Sequence, residues 1–315
     1  MSAAGPAVAV GLVLDAVLGE PPAPLHPVAR FGDAMRALER HTYRDDVIAG
    51  ATHAVVGGGA ALASGWLLER VIGRRGALAA SIGVASAGRM LTAEVTRVGQ
   101  ALENDDLDGA RRLVGGLVGR DTSGLDPNEV ARAAIESLAE NAVDAVTAGV
   151  WWGVVGGAPA VLGHRALNTL DAMVGHRSLR YERFGWASAR LDDVANWVPA
   201  RLTSVGAAIA HPSRARAVVR TVRRDAWRHP SPNGGVVEAA MAAVLGVRLG
   251  GTNRYGNRTE DRGTLGDGPQ PTPADVQRAV AAARRATIAT VGLVLVGEQL
   301  VRGCARATGR RRPRR

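Results

Sequence analysis

The 315-residue chain contains no lysine, so all 39 of its basic residues are arginines. A Walker A loop needs its lysine and Schiff-base catalysis needs a lysine amine, so both kinds of site are excluded. Any phosphate would have to be bound by arginine, backbone amides or a metal ion. The single cysteine, Cys304, excludes an internal disulfide and a cysteine-based zinc site.

Aromatic residues are also scarce, at 3%, although 46% of the chain is hydrophobic and 40 residues are glycine. This composition favours closely packed helices over a sheet, so we predict an all-α fold. The net charge of +10 is concentrated in Arg214 to Arg228 and in a basic tail over 308–315. No RNA-binding signature or aromatic stacking set accompanies these runs. We therefore expect contact with lipid and no nucleic-acid partner.

Long uncharged runs predict a polytopic integral membrane protein. Val47 to Leu68 is long enough to cross a bilayer, which takes roughly 20 residues, and three more apolar runs follow: Gly76 to Gly88, Ala145 to Gly163 and Thr287 to Val301. We expect about four or five embedded helices, judged by span length, together with cytoplasmic helical segments. A mean hydropathy of +0.01 keeps buried helices of a soluble protein as the alternative.

The sequence also predicts the domain count, a surface hairpin and a loop. Residues 1–315 are predicted to form a single domain without a signal peptide. Arg89 to Arg112 is charged and amphipathic, which predicts a helical hairpin at the surface. Residues 250–273, rich in Gly, Asn, Thr and Pro, are predicted to be a loop.

Polar residues at helical spacing are concentrated between Gly119 and Arg201. Asp126-Pro127 predicts a helix N-terminus, and a series with steps of four follows, formed by Arg132, Glu136, Glu140 and Asp144. Such residues share one helix face. A solvated face is the ordinary explanation, but this face leads directly into an uncharged run, where acids need a compensating cation.

Two further clusters of oxygen ligands follow the acidic face. The sequence NTLD places Asn168 and Asp171 three residues apart, and LDDVAN contains Asp192, Asp193 and Asn196. Short Asp/Asn groups also cap helices, so each cluster alone is a weak signal. Together they predict a site for Mg²⁺ and phosphate, with five candidate metal ligands: Glu140, Asp144, Asp171, Asp192 and Asp193.

A rigid turn, His229-Pro-Ser-Pro-Asn-Gly-Gly235, leads into an apolar helix. Glycines before a helix N-terminus can form an anion site from converging backbone amides. Such turns are common, so the motif alone predicts this only weakly.

These segments, in order and nearly end to end, resemble the cobalamin-biosynthesis family CobD/CbiB, adenosylcobinamide-phosphate synthase. The resemblance is carried by LGEPPAPLHPV, GRDTSGLD, AAIESLAENAVDAV, LNTLDAMVGH, FGWASARLDDVANWVPARLT and HPSPNGGVVEAAMAAVLGVRLGG. The chain departs from the family pattern where Val236 and Val237 replace a Trp-Pro pair, where Glu20 stands in a family GDPP, and after Gly251.

The resemblance implies an inner-membrane enzyme with a cytoplasmic active site and C-terminus. It would join (R)-1-aminopropan-2-ol, or its O-phosphate, to the f-propionate of adenosylcobyric acid, using ATP and Mg²⁺. The candidate catalytic residues are Glu136, Glu140, Asp144, His164 and His176. The candidate substrate- and phosphate-binding residues are Arg120, Asp121, Thr122, Ser123, Asn141, Asn168, Arg177, Asn196, Arg201, Ser231, Asn233 and Gly234.

Two other interpretations remain open from the sequence. An intramembrane Mg-dependent prenyl- or alcohol-phosphotransferase also places Asn/Asp clusters on membrane helices. A non-enzymatic membrane scaffold for corrinoid enzymes is the third, and the family reading itself leaves room for a homo-oligomer or a complex with such enzymes.

Overall fold

The computed structural model describes residues 4–176, 178–255 and 258–309, and within these ranges the chain is mostly helical. Two strands, β1 (Leu249–Tyr255) and β2 (Arg258–Leu265), pair with each other. The α-helices are α1 Gly5–Leu18, α2 Pro27–Thr42, α3 Val47–Ala85, α4 Gly88–Glu103, α5 Leu107–Gly115, α6 Pro127–Ala142, α7 Ala148–Leu170, α8 Trp186–Ala210, α9 Ala215–Asp225, α10 Gly234–Leu245 and α11 Pro273–Gly309.

The mostly helical structure agrees with the expected all-α class, whereas the antiparallel hairpin β1–β2 corrects the expected loop over 250–273. Strands are recognised in a sequence by alternating apolar residues, and these strands are largely polar. A bulge between Gly250 and Thr252 further disturbs the alternation. The hairpin is attached at its base by Leu249 and Leu265, which are buried in the apolar core, and farther along by charged and backbone groups. Most of its length therefore shows no apolar pattern.

Helix α7 folds back on itself at Gly157, which has φ 70° and ψ −157°. A straight helix of this length would separate its ends by about 35 Å at 1.5 Å per residue. However, Asp144 and Asp171, which flank α7, line the same small cavity. A glycine supplies the positive φ that the break requires, and Pro159 suits the first turn of the returning arm.

Helix α3 is interrupted in the same way at Gly73, with φ 74°, and packs along both arms of α7. Gly65 lies against the backbone of Pro159 on one arm, and Leu78 lies against Gly153 on the other. Where the two breaks meet, the Glu69 carboxylate of α3 accepts the Ala158 N–H at 3.2 Å. An acid at this position satisfies an otherwise unpaired amide at the start of the returning arm.

The break at Gly73 separates two of the predicted apolar runs. Val47 to Leu68 lies on the first arm of α3, whereas Gly76 to Gly88 covers the second arm and reaches the start of α4. Three helical segments among the described residues are long and apolar enough to cross a membrane, within 47–103, 127–175 and 273–305. Two of these segments contain the reversals at Gly73 and Gly157, so the expected four or five embedded helices stay a prediction.

The other half of the molecule surrounds α6. Its N-terminus is the predicted one, because Asp126 and Glu129 form a reciprocal capping box. Its inner face is rich in alanine and packs against α4, α10 and α11 in one apolar core. Helices α4 and α5 form the predicted hairpin over 89–112, with the apolar face of α4 turned into this core. Helix α6 therefore joins the hairpin β1–β2 at its N-terminal end to the arms of α7 at its C-terminal end.

We expect Gly65→Ala to destabilise the protein, because a Cβ there would lie 2.5 Å from the Cα of Pro159. Overpacking against backbone costs about 1–3 kcal/mol. Gly59→Ala is the matched control, since this exposed position of the same helix has nothing within 4 Å. It should be neutral or up to ~1 kcal/mol stabilising. Thermal unfolding in detergent measures both, and equal effects would contradict the α3–α7 packing described.

Candidate active site

A cavity of about 200 Å³ lies where α6, the second arm of α7, α8 and α10 meet. It brings together the acidic face of α6, the clusters NTLD and LDDVAN, and the Ser-Pro-Asn-Gly-Gly turn. Its lining consists of Glu140, Asn141, Val143, Asp144, Asp171, Asp192, Asp193, Asn196, Ser231, Asn233, Gly234 and Val237. Five carboxylates thus face one small volume, and no arginine is among the lining residues that the structure describes.

Two of these acids stand on π-helical turns. Helix α6 continues into the π-helix Val143–Thr147, which contains Asp144. Helix α7 continues into the π-helix Asp171–Gly175, which begins with Asp171. Single π-turns inside helices are rare and frequently occur at functional sites. The wider turn changes the face on which the following residues lie, so the steps of four in the sequence do not extend as one straight row.

Among the acids that line the cavity, Asp192 has a buried carboxylate oxygen without a hydrogen-bond partner in the described part of the chain. Its Oδ2 accepts a hydrogen bond from Asn196 Nδ2 at 3.0 Å, whereas its Oδ1 is buried and has no hydrogen-bond partner among the described residues. Burial, followed by the neighbouring Asp171 carboxylate, raises the pKa of Asp192 to about 7. A cation beside Asp192 would stabilise its ionised form.

His164 and Asn168 support this corner from the second arm of α7. His164 Nε2 lies 2.9 Å from Asn196 Oδ1, and the Asn168 side chain lies beside Asp144 and Asp192. Ligand atoms of Asp144, His164 and Asp192 lie within 4.8 Å of one another, close enough to share a metal ion. His164 is buried and is not among the residues lining the cavity.

Glu140 lies at the opposite side of the cavity and contacts the hairpin. Its Oε1 accepts a hydrogen bond from Arg262 Nη2 of β2 at 2.7 Å. The Glu140 Oε1 is also 4.0 Å from His229 Nε2, and His229 is 3.2 Å from Glu238 Oε1. Burial, and then the Glu140 carboxylate, raise the pKa of Glu238 above its usual value.

Glu136 is not at the cavity, contrary to the expected carboxylate face. Its Oε2 accepts a hydrogen bond from Arg120 at 2.8 Å in a buried ion pair, and its Oε1 accepts the Gly250 N–H at 2.7 Å. The four-residue spacing rotates each successive residue by about 40° around a helix of 3.6 residues per turn. Glu136 therefore faces the base of the hairpin, while Glu140 and Asp144 reach the cavity.

The motif Arg120–Ser123 is likewise away from the cavity and supports the hairpin. Asp121 pairs with Arg254 of β1 at 2.7 Å, and Thr122 Oγ1 donates to the Arg111 carbonyl. Hydrogen bonds from Ser123, followed by one from Arg254, lower the pKa of Asp121 to about 2. The predicted phosphate-binding role of this motif stays a prediction, and its visible contacts are structural.

The turn before α10 supplies polar groups to the cavity. Ser231 Oγ accepts the Gly234 N–H at 3.0 Å, which caps the helix. Arg201 Nη1 donates to Asn233 Oδ1 at 2.7 Å, and Asn233 Nδ2 donates to the Asp193 carbonyl at 2.7 Å. Arg201 is therefore next to the cavity through Asn233 without lining it.

The other predicted residues are placed as follows. Asn141 lines the cavity and donates from Nδ2 to the Ser137 carbonyl at 2.9 Å. His176 is exposed and packs edge-on against Tyr181, outside the cavity. Arg177 lies outside the described residues.

Sequence reasoning missed four residues near the acids: Arg165, His229, Glu238 and Arg262. Arg165 Nη1 lies 3.4 Å from Asn168 Oδ1, and its charge acts on Asp144. His229 and Glu238 flank the Ser-Pro-Asn-Gly-Gly turn already singled out, so the motif itself was a usable signal. Arg262 had no such signal, because it reaches Glu140 through a strand pairing that a polar sequence does not reveal.

Comparison with known proteins is consistent with these motifs. The model of the family described as CobD/Cbib protein matches residues 8–283. The cobalamin biosynthesis protein CobD of Mycobacterium tuberculosis (strain H37Rv) is 48% identical over 297 residues, covering 92% of this chain and 95% of that protein. The CobD protein of Geobacter metallireducens is 39% identical over 290 residues, covering 88% and 91%.

A third relative, the CobD protein of Rhodobacter capsulatus, is 50% identical over 212 residues, covering 66% of this chain and 67% of that protein. No solved structure matches the chain. The cavity, the motifs that build it and the near full-length matches agree, and the chain belongs to the CobD/CbiB family.

Proposed function

We propose that the protein is an adenosylcobinamide-phosphate synthase of cobalamin biosynthesis. It would form the amide between aminopropanol, or its O-phosphate, and the f-propionate of adenosylcobyric acid at the expense of ATP. Family membership supports the pathway and the reaction. The observation that carries the site is the cavity of about 200 Å³ in which five carboxylates from three motifs meet.

The size of the cavity suits the small substrate. Drug-sized ligands fill pockets of roughly 300–1,000 Å³, so a corrinoid ring does not fit here. The corrinoid would remain outside and extend its propionate arm toward the acids. The amino group of either substrate is protonated at neutral pH, and a cluster of carboxylates attracts this positive charge.

The donor set fits Mg²⁺, which prefers oxygen ligands and commonly takes one or two carboxylates with phosphate oxygens and water. Asp144 and Asp192 would hold the ion, with Asp171 beside them, because Asp192 Oδ1 is buried and has no partner within the described part of the chain. When bound, Mg²⁺ would neutralise charge on the transferring phosphate. Glu140 and Asp193 stay candidate ligands.

The chain's own groups would bind and deprotonate the substrates. The propionate oxygen would take the terminal phosphoryl group of ATP, and the amine nitrogen would then form the C–N bond as phosphate leaves. The proton that the amine loses would pass to a carboxylate of the cavity, for which Glu140 is well placed at the rim. The side chains of Ser231 and Asn233 line the cavity beside the acids, with Asn233 held by Arg201, and would orient phosphate oxygens.

The two other functions are less well supported. A phosphotransferase would account for the acid clusters but not for near full-length similarity to CobD proteins. A scaffold would not require a buried carboxylate oxygen without a partner in a small polar cavity.

The membrane assignment is part of this proposal. Three long apolar segments support it, and so do exposed apolar side chains on these segments, for example Val55, Trp66 and Ile288. We place the cavity and the C-terminus on the cytoplasmic side, because short basic flanks favour that side. The basic tail over 308–315 falls largely outside the described residues, and association with itself or with other corrinoid enzymes stays a prediction.

The function is tested directly by incubating the purified protein with adenosylcobyric acid, aminopropanol phosphate and Mg-ATP. We expect a product whose mass corresponds to the amide, together with one ADP per amide formed. Omission of the amine should abolish both. Absence of amide from protein that is folded and membrane-inserted would overturn the proposal.

Glu140→Gln should reduce ligation at least ~100-fold with the protein still folded, the scale of losing one electrostatic stabiliser of a transition state. The amide keeps the shape of the side chain and removes its charge. Glu129→Gln on the same helix is the control, because glutamine can also serve in a capping box. If Glu140→Gln had activity near wild type at saturating Mg-ATP, Glu140 would have only a structural role.

Asp192→Asn should weaken the binding of Mn²⁺, used as a paramagnetic substitute for Mg²⁺, by at least about tenfold. Asp108→Asn makes the same chemical change at an 80% exposed side chain and should leave Mn²⁺ binding unchanged. Electron paramagnetic resonance of free Mn²⁺ measures the difference. Equal binding by both variants would show that Asp192 is not a metal ligand.

Membrane insertion and orientation predict two results in cells. The protein should resist extraction by carbonate washing, and alkaline phosphatase fused after Arg315 should stay inactive because it would remain in the cytoplasm. Release by carbonate would contradict insertion, whereas strong phosphatase activity would contradict only the orientation.

A further inference from the structure

The hairpin β1–β2 reaches the candidate active site through Arg262. The Arg262 Nη2 is 2.7 Å from Glu140 Oε1, and its Nε donates to His229 Nε2 at 2.7 Å. One planar guanidinium therefore contacts a cavity-lining carboxylate and a buried imidazole at the same time. Arginine is suited to this, since its donors have a fixed geometry.

A second acid, Glu238, lies fully buried behind Glu140. The side chains of His229 and Glu238 are both 0% exposed, and Glu238 Oε1 is 3.2 Å from His229 Nε2 and 3.6 Å from Arg262 Nη2. Glu140, whose side chain is 32% exposed, is the member of this group that lines the cavity. A buried carboxylate without a neighbouring positive charge is strongly unfavourable, and Arg262 supplies that charge.

The same three groups, Glu140, His229 and Glu238, lie within 4.8 Å of one another and could by spacing hold a metal ion. The guanidinium of Arg262 already bonds to two of them, so a metal ion would have to displace it. The positive charge of this cluster is therefore provided by the chain itself.

The position of Arg262 is fixed by how the hairpin is attached. Arg132 of α6 donates to the Gly250 carbonyl, and Glu136 accepts the Gly250 N–H at 2.7 Å. Farther along β1, Arg254 pairs with Asp121. Helix α6 thus contacts the base of the hairpin through Glu136 and contacts Arg262 through Glu140, the next acid along the same helix.

We propose that the hairpin β1–β2 is part of the active site and that Arg262 is the residue through which it positions the Glu140 carboxylate. Arg262 holds the Glu140 carboxylate at the rim of the cavity and compensates the buried Glu238. Only the expected change in the rate of catalysis depends on the proposed ligation reaction. The structural coupling between Arg262 and Glu140 holds whatever reaction the cavity performs.

The kinetic test compares Arg262→Ala, Arg262→Lys and Arg262→Ala combined with Glu140→Gln. Arg262→Ala should lower kcat by roughly 100-fold, the scale of misplacing a catalytic group by about 1 Å, with KM little changed. Arg262→Lys should recover part of the loss, because it keeps the charge but not the two-sided contact. Since Arg262 acts through Glu140, the double variant should be no slower than Glu140→Gln alone.

Arg248→Ala is the matched control, because Arg248 is an exposed arginine immediately before β1. It should behave as wild type. A wild-type rate in Arg262→Ala would overturn the proposal, as would losses from Arg262→Ala and Glu140→Gln that simply multiply in the double variant.

A second measurement needs no activity. Arg262→Ala should lower the melting temperature, and adding Glu140→Gln should restore part of it, because one unpaired carboxylate is then removed. Additive melting temperatures would overturn the proposal. If the wild-type protein forms no amide but the melting temperatures are coupled, the proposed function fails and the positioning role of Arg262 stands.

Discussion

Compensation of buried carboxylates is the constraint on which the arrangement of this molecule depends. Acids on or next to α6, α7, α8 and α10 lie close together, and each buried one needs a positive charge or a hydrogen-bond donor. Two kinds of solution are visible. Glu136 is paired with Arg120, and Glu140 with Arg262. Asp192 instead keeps a buried oxygen without a partner in the described chain. The first kind fixes the fold, and the second leaves a place for a ligand.

The π-helical turns provide the geometry that this compensation requires. In a regular α-helix an acid four residues after Glu140 lies nearly on the same face. The π-helix Val143–Thr147 places Asp144 at the cavity together with Asp171, which starts a second π-helix at the end of α7. Irregular turns of this type are unfavourable in isolation and persist where the surroundings determine them. Their position beside both acids agrees with a site rather than a purely structural core.

The sequence alone was sufficient to predict the family, the start of α6 and most of the residues that line the cavity. Asp126 and Glu129 cap α6 as their spacing indicates, and the acids of NTLD and LDDVAN do meet Glu140 and Asp144. It was insufficient for Glu136, which is paired with Arg120, and for the hairpin, whose strands are largely polar apart from the buried Leu249 and Leu265 at its base. The reversals at Gly73 and Gly157 were also missed. Within apolar runs rich in glycine, the residues that break a helix do not differ from those that allow close packing.

The reversals of α3 at Gly73 and of α7 at Gly157 contact each other, so the lengths of these two helices depend on each other. Glu69 of α3 bonds to the first amide of the returning arm of α7, so the two turning points cannot move independently. Removing one residue from either arm of α7 would rotate its flanking acid by about 100° and shift it by 1.5 Å. Residue insertions and deletions in one of these helices should therefore be tolerated only with a matching change in the other. Chimaeras that exchange α3 and α7 together should keep the acids in register, and those that exchange one helix alone should not.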